Sequence, residues 1–290
     1  MLRIPSFISL PLLLLAFFLV SGFVSQPADP VWYDSGHRVV AAVAWNHMTP
    51  KVRTSVVDLL RQFPPDAGLV SMSRDGRPDP EKALFLEAST WPDAVRDRND
   101  TERYRQYHRG HWHYVNHFWA QSPDGPLALP HLEVADENAT ERLGHFAKTV
   151  VDPSISVAER ATQLAWIIHL VGDLHQPLHA SSRVTRHQPE GDRGGGLFQL
   201  DASSPFGNLH VYWDGILDLS YPQGTGESDR EYALRLAERI PNSTYLDSTV
   251  LGSGPLDFEV WTLESTEIAQ LAVYLPVVER GESPPDIYRR

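Results

Sequence analysis

The chain has 290 residues, 42% of them hydrophobic and 21% charged, an ordinary globular balance with enough apolar material for a large core. It contains no cysteine, which excludes a disulfide framework, thiolate metal sites and a cysteine nucleophile, so any metal must be held by His, Asp, Glu or backbone groups. A formal net charge of −12 argues against a broad basic surface gripping phosphate backbones, although bound cations would reverse that field locally.

Residues 1–28 read as a secretory signal: Arg3 precedes the apolar run "ISLPLLLLAFFLV", which is too short for a convincing membrane span. A secreted or periplasmic protein is expected, a retained N-terminal anchor being the minority alternative, and no later run is apolar enough to cross a bilayer. Gly36–Met48 carries a helical stripe at Val39, Val40, Val43 and Ala44. Thr49-Pro50 is an N-cap with a first-turn proline opening a helix over Lys51–Gln62, and Asp79-Pro80 repeats the signal. Ser156-Val-Ala-Glu159 is a capping box whose helix runs to about His175, where Gln176-Pro177 stops it. Glu227–Ile240 and Phe258–Tyr274 are further amphipathic candidates. Residues 183–212 are the exception, a glycine-led hairpin or irregular loop in which "NLHVY" looks strand-like. The expected fold is all-α, one mainly helical domain over residues 32–290 with a short β-hairpin or loop excursion. Sequons at Asn99, Asn138 and Asn242 are explained most simply by chance.

Chemistry-bearing residues collect in five segments. In "HLVGDLHQPLH", His169 and Asp173 are four apart and share a helix face, while His179 lies beyond the proline bend. His175 is rotated away from both and is expected to be a structural hydrogen-bonder. "NLHVYWD" repeats the four-residue spacing with His210 and Asp214. "HRGHWHYVN" offers His113 within an aromatic, β-branched run, His108 and His111 being expected in a solvated loop. "STWPDAVR" gives Asp93 after a Trp-Pro turn with Arg96 one helical turn on, and "WYDSGH" puts His37 at the start of the first helix. Each segment alone is weak; together, in a cysteine-free chain, they are best explained as a multi-metal site.

In that order, Trp-x4-His, Trp-x-Asp-x2-Arg, His-aromatic-Val-Asn, His-x3-Asp-x5-His and Asn-Leu-His-x3-Asp resemble the zinc-dependent class I nucleases, the S-one/P-one family, from Trp32 to Ser265. The resemblance implies a helical fold around a trinuclear zinc cleft. It implies a first zinc at Asp93, His113, His169 and Asp173, and a second at His179, His210 and Asp214. The third would sit at His37, Asp173 and the backbone amine and carbonyl of Trp32. A hydroxide between two ions is the implied nucleophile, and Arg96 the implied phosphate-steadying group. Tyr114, for which a core role is an equal alternative, and Asn116 would bind the base. Implied substrates are single-stranded DNA or RNA and 3′-nucleotides, with 5′-phosphate products. No protein partner is inferred, and a monomer free of membrane after processing is expected.

Two departures stand out. "QPADPV" before Trp32 lacks the usual small-residue cleavage pattern, so either a trimming step exposes the Trp32 amine, the favoured expectation, or the third zinc is bound without the amine and more weakly. The chain also stops at "PPDIYRR", short of the family's usual tail, which bears on stability more than chemistry. The nearest rival is a zinc phospholipase C, with a longer Trp-to-His interval and Glu after the last ligand histidine; Trp32-x4-His37 and His210-x3-Asp214 favour the nuclease. A catalytically silent exported metal-binding module is the alternative from another class.

Overall fold

The computed structural model describes residues 34–73, 79–132, 134–201, 204, 206–239, 256–278, 280–282, 284–285 and 288. The expected signal segment, Trp32 and Asn242 lie outside the described residues. Helices dominate, as expected. They are α1 (Asp34–His47), α2 (Pro50–Leu60), α3 (Leu69–Met72), α4 (Pro80–Ala94), α5 (Thr101–Tyr107), α6 (Ala139–Thr149), α7 (Val157–His175), α8 (Leu209–Asp214), α9 (Ile216–Ser220), α10 (Asp229–Arg239) and α11 (Phe258–Ile268). A wider π-type turn, Ala269–Val273, continues α11. None of the described helices is long and apolar enough to cross a membrane.

Local chemistry sets several helix starts. The side chains of Thr49, Asp79 and Ser156 accept from the backbone N–H groups of Val52, Lys82 and Glu159, satisfying donors that each first turn would otherwise leave bare. Helix α7 is the hub of the fold, packed against α1, α2, α4, α6 and α11. Being enclosed on so many sides, it is apolar all round from Leu164 to Val171 apart from His169. Ala161, Ala165, Trp166, Leu170 and Leu174 join Leu60, Leu86, Trp91 and Leu143 in the main core. Each fully buried leucine there contributes about 1.5–3 kcal/mol. Trp91 wedges edge-on between Phe63 and Trp166 and donates its indole N–H to the Ala67 carbonyl at 2.7 Å.

A small sheet interrupts the helices. Strand β1 (His117–Ser122) turns through Pro123-Asp124 into antiparallel β2 (Gly125–Ala128), and β3 (Ser181–Val184) pairs with β1 in parallel, giving the order β2-β1-β3. Most of residues 183–212, where the excursion was expected, is irregular backbone with isolated bridges at Thr185–Gln188 and Gln199–Asn208. "NLHVY" is helical rather than strand-like. The Asn208 side chain accepts from Val211 N–H and opens α8, whose Leu209 and Tyr212 bury one face in a second core with Leu178, Phe198 and Leu200. Asn138, read above only as a sequon, caps α6 by accepting from Glu141 N–H at 3.0 Å.

Candidate metal centre

The candidate ligands gather around the C-terminal turns of α7. His169 and Asp173 come from its last turns, and Gln176-Pro177 starts a tight turn, Pro177–His179, that swings His179 back. The sheet brings in His113: Val115 N–H donates to the His179 carbonyl at 2.8 Å and His117 N–H to the Ala180 carbonyl at 3.1 Å. Asp93 lies in the last turn of α4, and Pro92 sits inside that helix, correcting the Trp-Pro turn expected there. His37 projects from the first turn of α1, and α8 supplies His210 and Asp214 one turn apart.

Their side chains converge. The Asp173 carboxylate faces two ways: Oδ2 lies 3.1 Å from His113 Nδ1 and 3.0 Å from His169 Nε2, while Oδ1 lies 3.4 Å from His37 Nε2. Asp93 closes the first side, 3.7 Å from His113 Nδ1 and 3.9 Å from His169 Nε2. Asp214 stands 3.5 Å from both His179 Nε2 and His210 Nε2, and Asp173 Oδ1 lies 3.3 Å from His179 Nδ1, so this group adjoins the first. Three sets result, His37/His169/Asp173, Asp93/His113/His169 and His179/His210/Asp214, each with ligand atoms within 4.8 Å of one another.

The outer contacts fix the ring tautomers. His169 Nδ1–H donates to the Ser89 carbonyl (2.7 Å), His179 Nδ1–H to the His113 carbonyl (2.8 Å) and His210 Nδ1–H to the Gly194 carbonyl (2.7 Å). A carbonyl only accepts, so Nδ1 of each ring carries a proton and Nε2 is the nitrogen turned inward, the arrangement that metal-ligating histidines adopt. A lone pair aimed at a carboxylate repels it unless a proton or a metal cation lies between them. Asp93 Oδ2, Asp173 Oδ1, Asp214 Oδ2 and the Nε2 atoms of His179 and His210 are buried without a hydrogen-bond partner. Leaving such atoms unsatisfied costs about 1–3 kcal/mol each. Tetrahedral zinc with ligands at about 2.0–2.1 Å would set those ligands about 3.3 Å apart, and the spacings above bracket that value. Nitrogen and carboxylate donors therefore fit a divalent cation.

Titration follows the same logic. Burial lifts Asp93 to about 7 and drives His37 down to about 4 and His113 to about 3. For His179, burial opposes the charge, but Asp173 and Asp214 outweigh it and raise the ring to about 9. Burial also works against the Asp173 carboxylate, yet His169 and His179 hold it well below the usual range.

His113, His179 and His210 line a cleft of about 770 Å³ whose other walls include Arg96, Arg109, Arg193, His108, His111, Tyr114, Asn116 and Glu190. Three guanidinium groups and one carboxylate, Glu190, stand in the cleft wall, with Asp93, Asp173 and Asp214 behind its histidines. Arg96 donates to Asp93 Oδ1 at 3.3 Å, and Tyr114 is 41% exposed.

The S1/P1 Nuclease family model matches residues 32–290. The chain belongs to the S1/P1 nuclease family. Nuclease P1 of Penicillium citrinum is 23% identical over 220 residues, which cover 74% of this chain and 68% of that protein. Endonuclease 1 of Arabidopsis thaliana is 22% identical over 197 residues, covering 63% of this chain and 52% of that protein.

The structure of this S1/P1 family member gathers all the side chains expected as ligands, with Trp32 outside the described residues. Tyr114 and Asn116 follow His113 into the cleft, and His108, in the coil after α5, and the exposed His111 line it too. Two contributors were missed by sequence reasoning. Gln176 donates to Asp214 Oδ1 at 2.6 Å while its own oxygen accepts from Leu178 N–H, so it clamps a candidate ligand. Gly194, at φ +59°, presents its carbonyl to His210 where any Cβ would strike the Leu178 carbonyl. The glycine run was visible in sequence, but its target was not.

His175 points outward, its Nδ1–H donating to the Val171 carbonyl at 2.7 Å and its ring lying 5.1 Å from Trp261. His175→Ala is expected to change stability by no more than about 0.5 kcal/mol, as at ordinary surface sites, and to leave metal content intact. His169→Ala should lose metal. Metal analysis beside denaturant unfolding checks both, and equal metal loss in the two variants would reverse the assignment of helix faces.

Proposed function

We propose that this nuclease is an exported zinc-dependent phosphodiesterase that hydrolyses single-stranded RNA and DNA to 5′-phosphate products and also removes 3′-phosphates from nucleotides. The observation that carries the reading is the inward set of bare imidazole nitrogens and carboxylates opening onto a cleft lined by arginines and an exposed tyrosine. Family membership supports hydrolysis of nucleic acids, and the relatives' printed names are those of nucleases.

We assign Asp93, His113, His169 and Asp173 to one ion, His179, His210 and Asp214 to a second, and His37, Asp173 and the Trp32 backbone to a third. Bound zinc would supply Lewis acidity toward phosphoryl oxygens and lower the pKa of the attacking water. Arg96, steered by Asp93, offers its guanidinium fork to the phosphate as charge develops. Tyr114 gives an unstacked base a face to lie on, which a paired base cannot reach, and Asn116 can read its edge. Gln176 and the carbonyls of Ser89, His113 and Gly194 hold ligands in place before substrate arrives.

The test measures turnover of single-stranded DNA, RNA, 3′-AMP, duplex DNA and phosphatidylcholine, with and without chelator, beside metal analysis and N-terminal sequencing. Chelator-sensitive cleavage of the single strands and of 3′-AMP is expected, with a mature chain beginning at Trp32. Preferential lipid cleavage would point to a phospholipase instead, and a metal-loaded protein without turnover to a silent module.

A further inference from the structure

The loop at residues 191–196, Gly-Asp-Arg-Gly-Gly-Gly, orients His210 through the Gly194 carbonyl but leaves Arg193 unaccounted for. Arg193 is exposed and lines the cleft. Among the described residues its guanidinium makes no hydrogen bond or ion pair. The other two cleft arginines are engaged: Arg96 with Asp93, and Arg109 with the carbonyls of His108 (2.7 Å) and Gln106 (3.0 Å).

Its backbone is in the left-handed region, φ +56°, one of only two non-glycine residues so placed among the described residues. Such a conformation is strained for a residue with a side chain and persists only where the surroundings enforce it. Here they do. The neighbouring Asp192 is buried, its Oδ1 accepting from Arg183 N–H (2.9 Å) and Gly195 N–H (3.1 Å) and its Oδ2 from the Tyr274 hydroxyl (2.7 Å). The Arg193 N–H itself donates to Ser182 Oγ at 3.1 Å. Gly191, at φ +86°, brings the loop so close to Ser182 and Phe118 that no side chain fits. The loop is thus fixed by its neighbours, and nothing in its packing calls for an arginine at an exposed left-handed position that glycine or asparagine would fill with less strain.

We propose that Arg193 binds a phosphate of the nucleic-acid strand flanking the one being cleaved, so that the cleft recognises a polyanion and not only a single phosphoester. Arg96 is tied to a ligand of one candidate metal set, whereas Arg193 adjoins the carbonyl that orients a ligand of another, so the two guanidinium groups stand beside different ligand sets of the same cleft. The proposal rests on the nuclease reading. A guanidinium carried on a fixed backbone and free of internal bonds can meet a phosphate without first breaking one.

The experiment compares wild type, Arg193→Ala, Arg193→Lys and Arg193→Gly, each as full metal-loaded enzyme, on a single-stranded DNA decamer and on 3′-AMP over a range of salt. For Arg193→Ala the decamer KM is expected to rise about tenfold more than the 3′-AMP KM, as the loss of a hydrogen bond to a charged group implies. The decamer kcat should move far less than its KM. The slope of log kcat/KM against log salt should fall by about 0.7, one phosphate contact on a single strand. Arg193→Lys should keep that slope. Arg193→Gly, which relaxes the backbone, should match the alanine variant, so that a folding defect cannot imitate the result. Parallel losses on both substrates with the salt slope unchanged would show that Arg193 only props His210, and would overturn the proposal. A wild type that cleaves 3′-AMP but no strand overturns it as well. A wild type inert on both substrates would overturn the nuclease reading on which it rests.

Discussion

Replacing Asp173 by asparagine is expected to abolish turnover more completely than any other single ligand substitution, with a loss of at least about a thousandfold in kcat/KM. Outer-shell partners of metals command about 10–100-fold, and a lost electrostatic stabiliser about 10²–10³. Asp173 exceeds both roles because its two oxygens serve different sets, Oδ2 toward His113 and His169 and Oδ1 toward His37. Asparagine keeps the shape but turns a carboxylate into a neutral amide with one acceptor. Asp214→Asn is the control. It touches only the set with His179 and His210, and retains Gln176 as a neighbour. Metal content should therefore fall further in Asp173→Asn than in Asp214→Asn, with activity following. If Asp173→Asn kept more metal than Asp214→Asn, the shared position would be wrong.

Much of this centre could be read from spacing, because its key relations are local. His169 with Asp173, and His210 with Asp214, are one helical turn apart, and both pairs are presented on one face. The caps at Thr49, Asp79 and Ser156 could be read for the same reason: a cap acts within its own first turn. What sequence hid is non-local. Nothing near His117 announces that β1 pairs in parallel with Ser181–Val184, 64 positions on in the register His117–Ser181, yet that pairing docks His113 beside His179. "NLHVY" misled because valine, tyrosine and alternation favour a strand, while the Asn208 cap and the burial of Leu209 and Tyr212 on one face decide for a helix. Pro92 misled in the other direction, since tertiary packing keeps α4 helical through a residue that normally ends one. The loop around Asp192 and Gly194 could be recognised only as glycine-rich, because its anchors, Tyr274, Ser182 and His210, come from distant segments.

Zinc should stabilise the folded chain strongly, and by an amount that grows as pH rises. At free zinc about a thousandfold above its Kd, one site adds about 4 kcal/mol, and about 2–4 °C in Tm per kcal/mol for a chain of this size makes that roughly 8–16 °C. The pH dependence comes from protons and zinc competing for the same inward atoms. In the metal-free chain, burial opposes charging His179 but the Asp173 and Asp214 carboxylates raise it to about 9 from 6.5. Its stabilising contribution is complete below pH 6.5 and is lost as pH rises through 9. Burial raises Asp93 to about 7 from 3.8, so the metal-free fold also loses stability as this carboxyl ionises across that interval. Zinc acts oppositely, because it binds the deprotonated ring and the carboxylate. Metal-free Tm should therefore fall between pH 5 and 9 relative to the zinc-loaded Tm, and the gap between them should widen with pH. Differential scanning calorimetry of chelated and zinc-saturated protein across that range measures both curves. A constant gap would mean that zinc displaces no protons, contradicting the assignment of His179 and Asp93 as ligands; a gap that narrowed with rising pH would overturn the competition altogether.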